Sequence, residues 1–274
     1  LALLRIHEVH NQKEEVESTE KDLPFVPANS SIVFKNVSFS YSGDREAAVL
    51  KHLDLEIEAG KITAIVGASG SGKTTLLKLL LRFYDPTEGE ILINGARFNG
   101  YDIAQWREQC GVVMQGGKIF SDTITGNIAL GQELDMEQVV MISALANLDD
   151  FVNSDLPMGY FTKIGEDGLQ LSEGQKQRLL LARALYKNPN YLLLDEATSS
   201  LDAKNERSIM QSLQDFWQAK TAVIVAHRLS TVRHADKIIV LNKGEVVEIG
   251  THEELIKKGN FYLELVKNQL DLNQ

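Results

Sequence analysis

Apolar and polar positions change their period several times along the 274 residues. "SIVFKNVSFSY" (31–41) is β-branched with partial alternation, and "LDLEIE" (53–58) alternates strictly. Both predict strands. "KITAIVG" (61–67) is a nearly continuous apolar run that stops at glycine, the pattern of a parallel strand buried on both faces. "GKTTLLKLLLRF" (72–83) then moves to the helical period and places Leu76, Leu79, Leu80 and Phe83 on one face. "GEILING" and "CGVVMQ" predict further short strands, and from about 116 to 190 the pattern turns helical. Strands return at "NYLLLDE", "TAVIVAH" and "KIIVLN", and "NKGEVVEIG" predicts a hairpin that ends the sheet. Strands alternating with helices predict an α/β fold with a mostly parallel core sheet and a helical insertion in its middle.

The first 28 residues break this pattern. "HEVHNQKEEVESTEKDLPFVP" is charged, poor in apolar residues and closed by Pro24 and Pro27, so residues 1–28 read as a linker. The chain starts at Leu1, which suggests a piece of something longer. No apolar run reaches the roughly 18 residues that cross a bilayer. At 43% hydrophobic and 24% charged, the composition is that of a domain able to bury a core. A formal net charge of −10 argues against a general nucleic-acid footprint. The single cysteine, Cys110, has no internal disulfide partner, fits a reducing compartment such as the cytosol, and reads as a small apolar filler.

Candidate chemistry begins directly after the buried strand. "GASGSGKT", Gly67, Ala68, Ser69, Gly70, Ser71, Gly72, Lys73 and Thr74, matches the phosphate-loop pattern G-x-x-x-x-G-K-[ST] without departure. Glycines let such a loop fold tightly, so that successive backbone N–H groups converge on an anion. The helix that follows adds its positive N-terminal end. Lys73 can reach the β- and γ-phosphates of a nucleotide, and Thr74 can ligate Mg²⁺.

"YLLLDE" supplies the second half. A buried strand delivers Asp195 and Glu196 at the carboxyl edge of the sheet, where open α/β sheets bind ligands. Asp195 would hold Mg²⁺, and Glu196 would polarise the attacking water as general base. Gln115 follows a strand and could touch either the Mg²⁺ or the water. His227 ends another strand and could hydrogen-bond a γ-phosphate, but a lone histidine after a strand is more often structural. "LSEGQKQRLLLARAL" opens a helix with Ser172 as its N-cap, and Leu179, Leu180 and Leu185 would anchor that helix. Lys176 and Arg178 fit a solvated or structural face as well as a nucleotide-facing one.

Taken in order, "GASGSGKT", Gln115, "LSEGQ", "YLLLDE", "SSLD" and His227 resemble the nucleotide-binding domains of ATP-binding-cassette (ABC) transporters over residues about 30 to 265, and 98 residues separate Lys73 from Leu171 (171 − 73). The resemblance implies a P-loop NTPase (RecA-like) core, an N-terminal antiparallel β-subdomain and an inserted α-helical subdomain at about 116–189, within an ATPase domain of 29–270. It implies ATP and Mg²⁺ as ligands, with Thr75 beside the phosphate loop. Tyr41 resembles the aromatic that stacks on adenine. Gln115 resembles the glutamine joining the magnesium site to a transport domain, and His227 the histidine that senses the γ-phosphate. Leu171, Ser172, Glu173, Gly174 and Gln175 resemble the signature that contacts the ATP of a second cassette. Ser199, Ser200, Leu201 and Asp202 resemble the loop linking the two ATP sites.

Further features are similar to the exporter branch: Gly165–Glu166 just ahead of the signature, "FSDTITGNI", and the stretch from "AHRLSTVRHADKIIVLN" to "THEEL". The implied partners are a second copy of the cassette and a transmembrane domain on the same polypeptide, at the cytoplasmic face of a membrane, with no nucleic acid. The signature departs from the commonest form at Glu173, where glycine is usual. That glutamate and "QGGKIFSDTI" resemble cassettes of peptide and bacteriocin exporters. A DNA-repair or ribosome-associated ABC ATPase, or the ATPase subunit of an importer, is the alternative.

Overall fold

The structure, a computed structural model, describes residues 24–197, 203–217, 220–226 and 232–271. Its first sheet is antiparallel, in the order β2–β1–β4–β5, with β1 at Ile32–Phe39, β2 at Leu50–Ile57, β4 at Glu88–Ile93 and β5 at Ala96–Arg97. The partial alternation of β1 has a local cause. Asn36 and His52 both have φ near +50°, and the register slips between Phe34 and Val37 and between Val37 and Phe39. The slip resets the inward phase, so that Leu50, Leu53, Leu55 and Ile57 all face the core. Strand β2 therefore begins three residues before the strict alternation that announced it.

The second sheet has the order β12–β11–β3–β10–β9–β6. Strands β3 (Ile62–Val66), β6 (Cys110–Val113), β9 (Tyr191–Asp195), β10 (Thr221–Val225) and β11 (Lys237–Asn242) run parallel. Strand β12 (Glu245–Gly250) returns antiparallel to β11 through the two-residue turn Lys243–Gly244, both with positive φ, as the hairpin expectation required. The continuous apolar strands are covered on both faces, and two core clusters lie on opposite sides of them. Cys110 is buried in one of them, where burial pushes its thiol pKa up and leaves it an apolar filler.

The helix after the phosphate loop covers Lys73–Leu80 and is shorter than its apolar pattern. Leu76, Leu79 and Leu80 are buried as expected, but Phe83 lies past the helix end and is half exposed. Arg82 takes a left-handed conformation, and the N–H groups of Arg82 and Phe83 bond back to the carbonyls of Leu79 and Lys78. This is a Schellman stop without its usual glycine. Trp106 Nε1 and the Arg107 guanidinium donate to the carbonyls of Leu80, Leu81 and Arg82 and close the helix end.

The expected helical insertion is present, with a qualification. Helices at Ile124–Ala129, Met136–Leu145, Asp149–Asp155 and Glu173–Tyr186 make its body. A short antiparallel ribbon of β7 (Asp122–Thr123) and β8 (Lys163–Ile164) ties its two ends together. Of the stretch read as a linker, residues 24–28 are held against the core. Val26 is buried and its carbonyl accepts from Gln109 Nε2, while Tyr191 Oη accepts from the N–H of Ser30 and donates to its carbonyl. Residues 1–23 lie outside the described residues, as do Ser199, Ser200, Leu201, Asp202 and His227. No helix among the described residues is long and apolar enough to cross a membrane.

Candidate active site

The phosphate loop leaves the carboxyl end of β3 and is shaped by close approaches. A Cβ at Gly67 would sit 2.1 Å from the Leu241 carbonyl oxygen, and one at Gly72 would sit 2.5 Å from Leu50 Cδ2. Gly72 has φ +103° and is the N-cap of the helix, so it meets both a conformational and a packing demand for glycine. The turn of the β11–β12 hairpin braces the loop: the Gly244 N–H donates to the Ser71 carbonyl. Ala68, Ser69 and Gly70 are exposed at the crest of the loop, whereas Ser71 is buried under it.

Lys73 is buried, and its ammonium donates to the carbonyls of Gly67 and Ala68, both at 2.9 Å. The cation thus lies under the loop that it would serve. Burial lowers the Lys73 pKa, and the negative charges of Glu196 and Asp195 work in the other direction. Those two carboxylates lie at the end of β9, the next strand but one from β3. Asp195 is 1% exposed, and Glu196 is the next residue, half buried.

Glu196 has φ +54°, a conformation that costs a non-glycine residue about 1 kcal/mol or more. Its N–H donates to the Val225 carbonyl, and Gln115 Nε2 donates to its Oε2 at 3.3 Å. Gln115 itself is exposed, at the end of β6. Strands β3, β9 and β6 therefore bring the lysine, both carboxylates and the amide to one edge of the sheet. Thr74 is half buried in the first turn of the helix, close to this group in sequence and fold. Thr74 and Asp195 are hard oxygen donors, the type Mg²⁺ takes. No group of three or more His, Cys, Asp and Glu side chains able to hold a metal ion is found among the described residues. An ion here would complete its coordination from phosphate and water.

Tyr41 joins the site through its hydroxyl, which lies 3.1 Å from Thr75 Oγ1 and accepts from Lys78 Nζ at 3.4 Å. Its ring meets Phe39 and Tyr84 edge-on and is half exposed.

A family model described as "ABC transporter" matches residues 50–199, more than half of the chain. The chain belongs to the ABC transporter family. It is an ATP-binding ATPase cassette of the type carried by exporters. The ATP-dependent lipid A-core flippase of Cupriavidus metallidurans is 44% identical over 260 residues, covering 93% of this chain and 43% of the flippase. A putative multidrug export ATP-binding/permease protein of Staphylococcus aureus is 48% identical over 235 residues, covering 85% of this chain and 40% of that protein. Among solved structures, a bacterial Atm1-family ABC exporter with ATP bound superposes with a TM-score of 0.89 at 39% identity, over 97% of this chain and 46% of the exporter. The chain thus spans less than half the length of these relatives.

Leu171–Gln175, which resemble the family's signature, lie on another element. Ser172 caps the helix Glu173–Tyr186 in a full capping box: its hydroxyl accepts from the Gln175 N–H, and Gln175 Oε1 accepts from the Ser172 N–H at 2.8 Å. Leu171 packs at the edge of the core, and Leu179, Leu180 and Leu185 are buried as expected. Glu173 is exposed, 3.7 Å from Lys176 one turn on. Arg178 donates to the Asn147 carbonyl, a contact within the fold. No hydrogen bond or ion pair among the described residues joins Leu171–Gln175 to Gly67–Thr75 of the same chain. The phosphate loop gathers its carboxylates and leaves the signature elsewhere.

Three residues that carry weight here were not singled out from the sequence. Gln177 donates to the Glu196 carbonyl. Asn127 is fully buried and bonds Phe120 and Thr123, while accepting from Arg183. Arg183 also donates to the carbonyls of Asn127 and Lys118. Arg183 stood in plain view in the signature helix, a charged residue between two alanines, whereas Gln177 lies between Lys176 and Arg178 and carried no such signal.

Proposed function

We propose that this cassette hydrolyses ATP to power export through a transmembrane domain, with two cassettes closing head-to-tail on two ATP molecules at the cytoplasmic face of a membrane. The observation that carries the reading is the convergence of Lys73, Asp195, Glu196 and Gln115 at one sheet edge, beside the phosphate loop. ATP is the substrate. Lys73 would release its two loop carbonyls and take up β- and γ-phosphate oxygens instead. Thr74, Asp195 and Gln115 would hold Mg²⁺, which would supply positive charge against those phosphates. Glu196 accepts a proton from the water that attacks the γ-phosphorus, and the bond to the β-phosphate oxygen breaks to leave ADP and phosphate.

Tyr41 stacks the adenine and His227 senses the γ-phosphate in this reading. The signature Leu171–Gln175 of one molecule closes on the γ-phosphate held by the other, and Ser199–Asp202 link the two sites. A closed two-fold pair forms when ATP is present and opens after hydrolysis, and the membrane domain, met through Gly165–Glu166, reads that shift. The relatives named above carry different cargo in their names, so the cargo of this chain is not assigned by them.

One experiment tests the reading. Glu196→Gln removes the base and keeps the shape. Sedimentation of that variant should give a dimer with Mg²⁺ and ATP and a monomer without nucleotide, while the parent chain turns ATP over. A monomer under both conditions would overturn the head-to-tail assembly, and rapid turnover by the variant would overturn the assignment of the base.

A further inference from the structure

The helix that begins at the signature also touches both loops that carry the chemistry. Gln177 Nε2 donates to the backbone carbonyl of Glu196 at 3.3 Å. Three residues on, Leu180 packs so closely on the loop after β6 that a Cβ at Gly117 would lie 2.7 Å from Leu180 Cδ1. Arg183 holds the Lys118 carbonyl of the same loop at 2.8 Å. At Ala184 the helix backbone meets β6 itself, where a Cβ at Gly111 would lie 2.4 Å from the Ala184 carbonyl oxygen. These contacts run along one face of one helix, at i, i+3, i+6 and i+7. The helix is thus a fixed reference for Glu196 and for Gln115, which are themselves 3.3 Å apart.

Glu196 needs such a reference. Its left-handed φ of +54° is not one that a glutamate keeps by preference, and the surrounding structure has to hold it. Its N–H is fixed on β10 by Val225, and its carbonyl by Gln177. The two bonds lie on either side of the same strained residue and set where its carboxylate points.

We infer that Gln177 is a positioning residue for the general base, and that through it the signature's contact with a second molecule's ATP bears on Glu196 of its own site. The inference rests on the ATPase reading above. The Gln177 hydrogen bond falls on the backbone carbonyl of Glu196, not on its carboxylate. Gln177 acts by fixing the backbone from which Glu196 projects, and it shares a capped, rigid helix with Ser172, five residues away.

The test is steady-state ATP hydrolysis by the chain and its variants. Gln177→Met keeps length and loses the donor. It should leave the KM for ATP within about twofold and lower kcat by about 10- to 100-fold, the scale of an ångström-level misplacement of a reacting group. Gln177→Lys restores a donor of similar reach and should recover most of kcat, which a purely packing role would not allow. In a double-mutant cycle, Ser172→Ala should cost less kcat in the Gln177→Met background than in the parent. A kcat within twofold of the parent for Gln177→Met, or equal losses for the Met and Lys variants, overturns the positioning role. Strictly additive losses with Ser172→Ala overturn the link to the signature. If the parent itself fails to hydrolyse ATP, the ATPase reading has failed instead.

Discussion

Replacing Gly72 with alanine should damage the site and the fold together, by an amount that can be built from its surroundings. The residue has φ +103° and ψ 3°, outside the wells that a side-chain-bearing residue prefers. Holding alanine there costs about 1–3 kcal/mol. The new methyl would also lie 2.5 Å from Leu50 Cδ2 and 3.3 Å from the Val49 carbonyl oxygen. Leu50 is fully buried, so its side chain cannot swing clear into solvent. Overpacking of that kind adds about 1–3 kcal/mol.

The two terms give about 2–6 kcal/mol, and at about 2–4 °C per kcal/mol for a domain of this size the melting temperature should fall by at least 4 °C. Two controls separate the terms. Gly70→Ala, at φ +76° with nothing within 4 Å of the new methyl, meets the backbone cost alone. Gly100→Ala, with open space and no positive φ, should stay within about 0.5 kcal/mol of the parent. Melting in the absence of nucleotide reads the series directly. Binding of a fluorescent ATP analogue supplies a second readout, because the Gly72 carbonyl takes the first helical bond from Leu76 and Lys73 follows at once. Affinity should fall more than about tenfold, the 1.4 kcal/mol that a displaced lysine easily forfeits. A Gly72→Ala variant no less stable than Gly70→Ala would refute the packing half of the reasoning.

Two further outcomes follow from side chains outside the site. Asn127→Ala strips an acceptor from a guanidinium whose pKa burial already lowers, leaves the Phe120 N–H without its acceptor and takes a donor from the Phe120 and Thr123 carbonyls; the loss should be about 3 kcal/mol by urea denaturation, centred on the helical insertion. His252 has its pKa lowered by burial and then by Arg233, with Glu253 opposing and Tyr262 Oη 2.8 Å from Nδ1. A histidine depressed in the folded state binds its proton better when unfolded, so its contribution is intact above the usual pKa of about 6.5 and declines as pH falls below it. The urea midpoint of the parent should therefore drop between pH 7.5 and 5.5 more than that of His252→Gln, and parallel pH profiles would discard the idea.

Much of this cassette was legible because its chemistry sits in short runs. "GASGSGKT" and "YLLLDE" place their residues by strand and turn geometry alone, so Lys73, Asp195 and Glu196 fell where the pattern put them. Phe83 failed for a local reason: periodicity has no signal for a helix that stops at an arginine in the left-handed conformation. At Asn36 and His52 the signal was weak: both residue types tolerate positive φ, but neither "FKNV" nor "LKHL" says that a bulge will form there. Gln177, Asn127 and Arg183 were illegible for a different reason. Each works by meeting a partner that is 19 to 65 residues away in at least one of its bonds. Such partners are set by packing and leave no spacing in the sequence.

The signature joins both cases. Its capping box takes up two of the helix's orphan donors, those of Ser172 and Gln175. The next ones, at Glu173 and Gly174, fall among the residues that a second cassette's γ-phosphate would meet, where the positive end of the helix favours an anion. Five residues in, Gln177 of the same helix holds Glu196. In the proposed pair the first turn of this helix would serve the other molecule and its second turn its own base, which calls for a rigid helix. Its burial from Leu179 to Tyr186, broken only at Arg183, where the guanidinium is spent on three hydrogen bonds, supplies that rigidity.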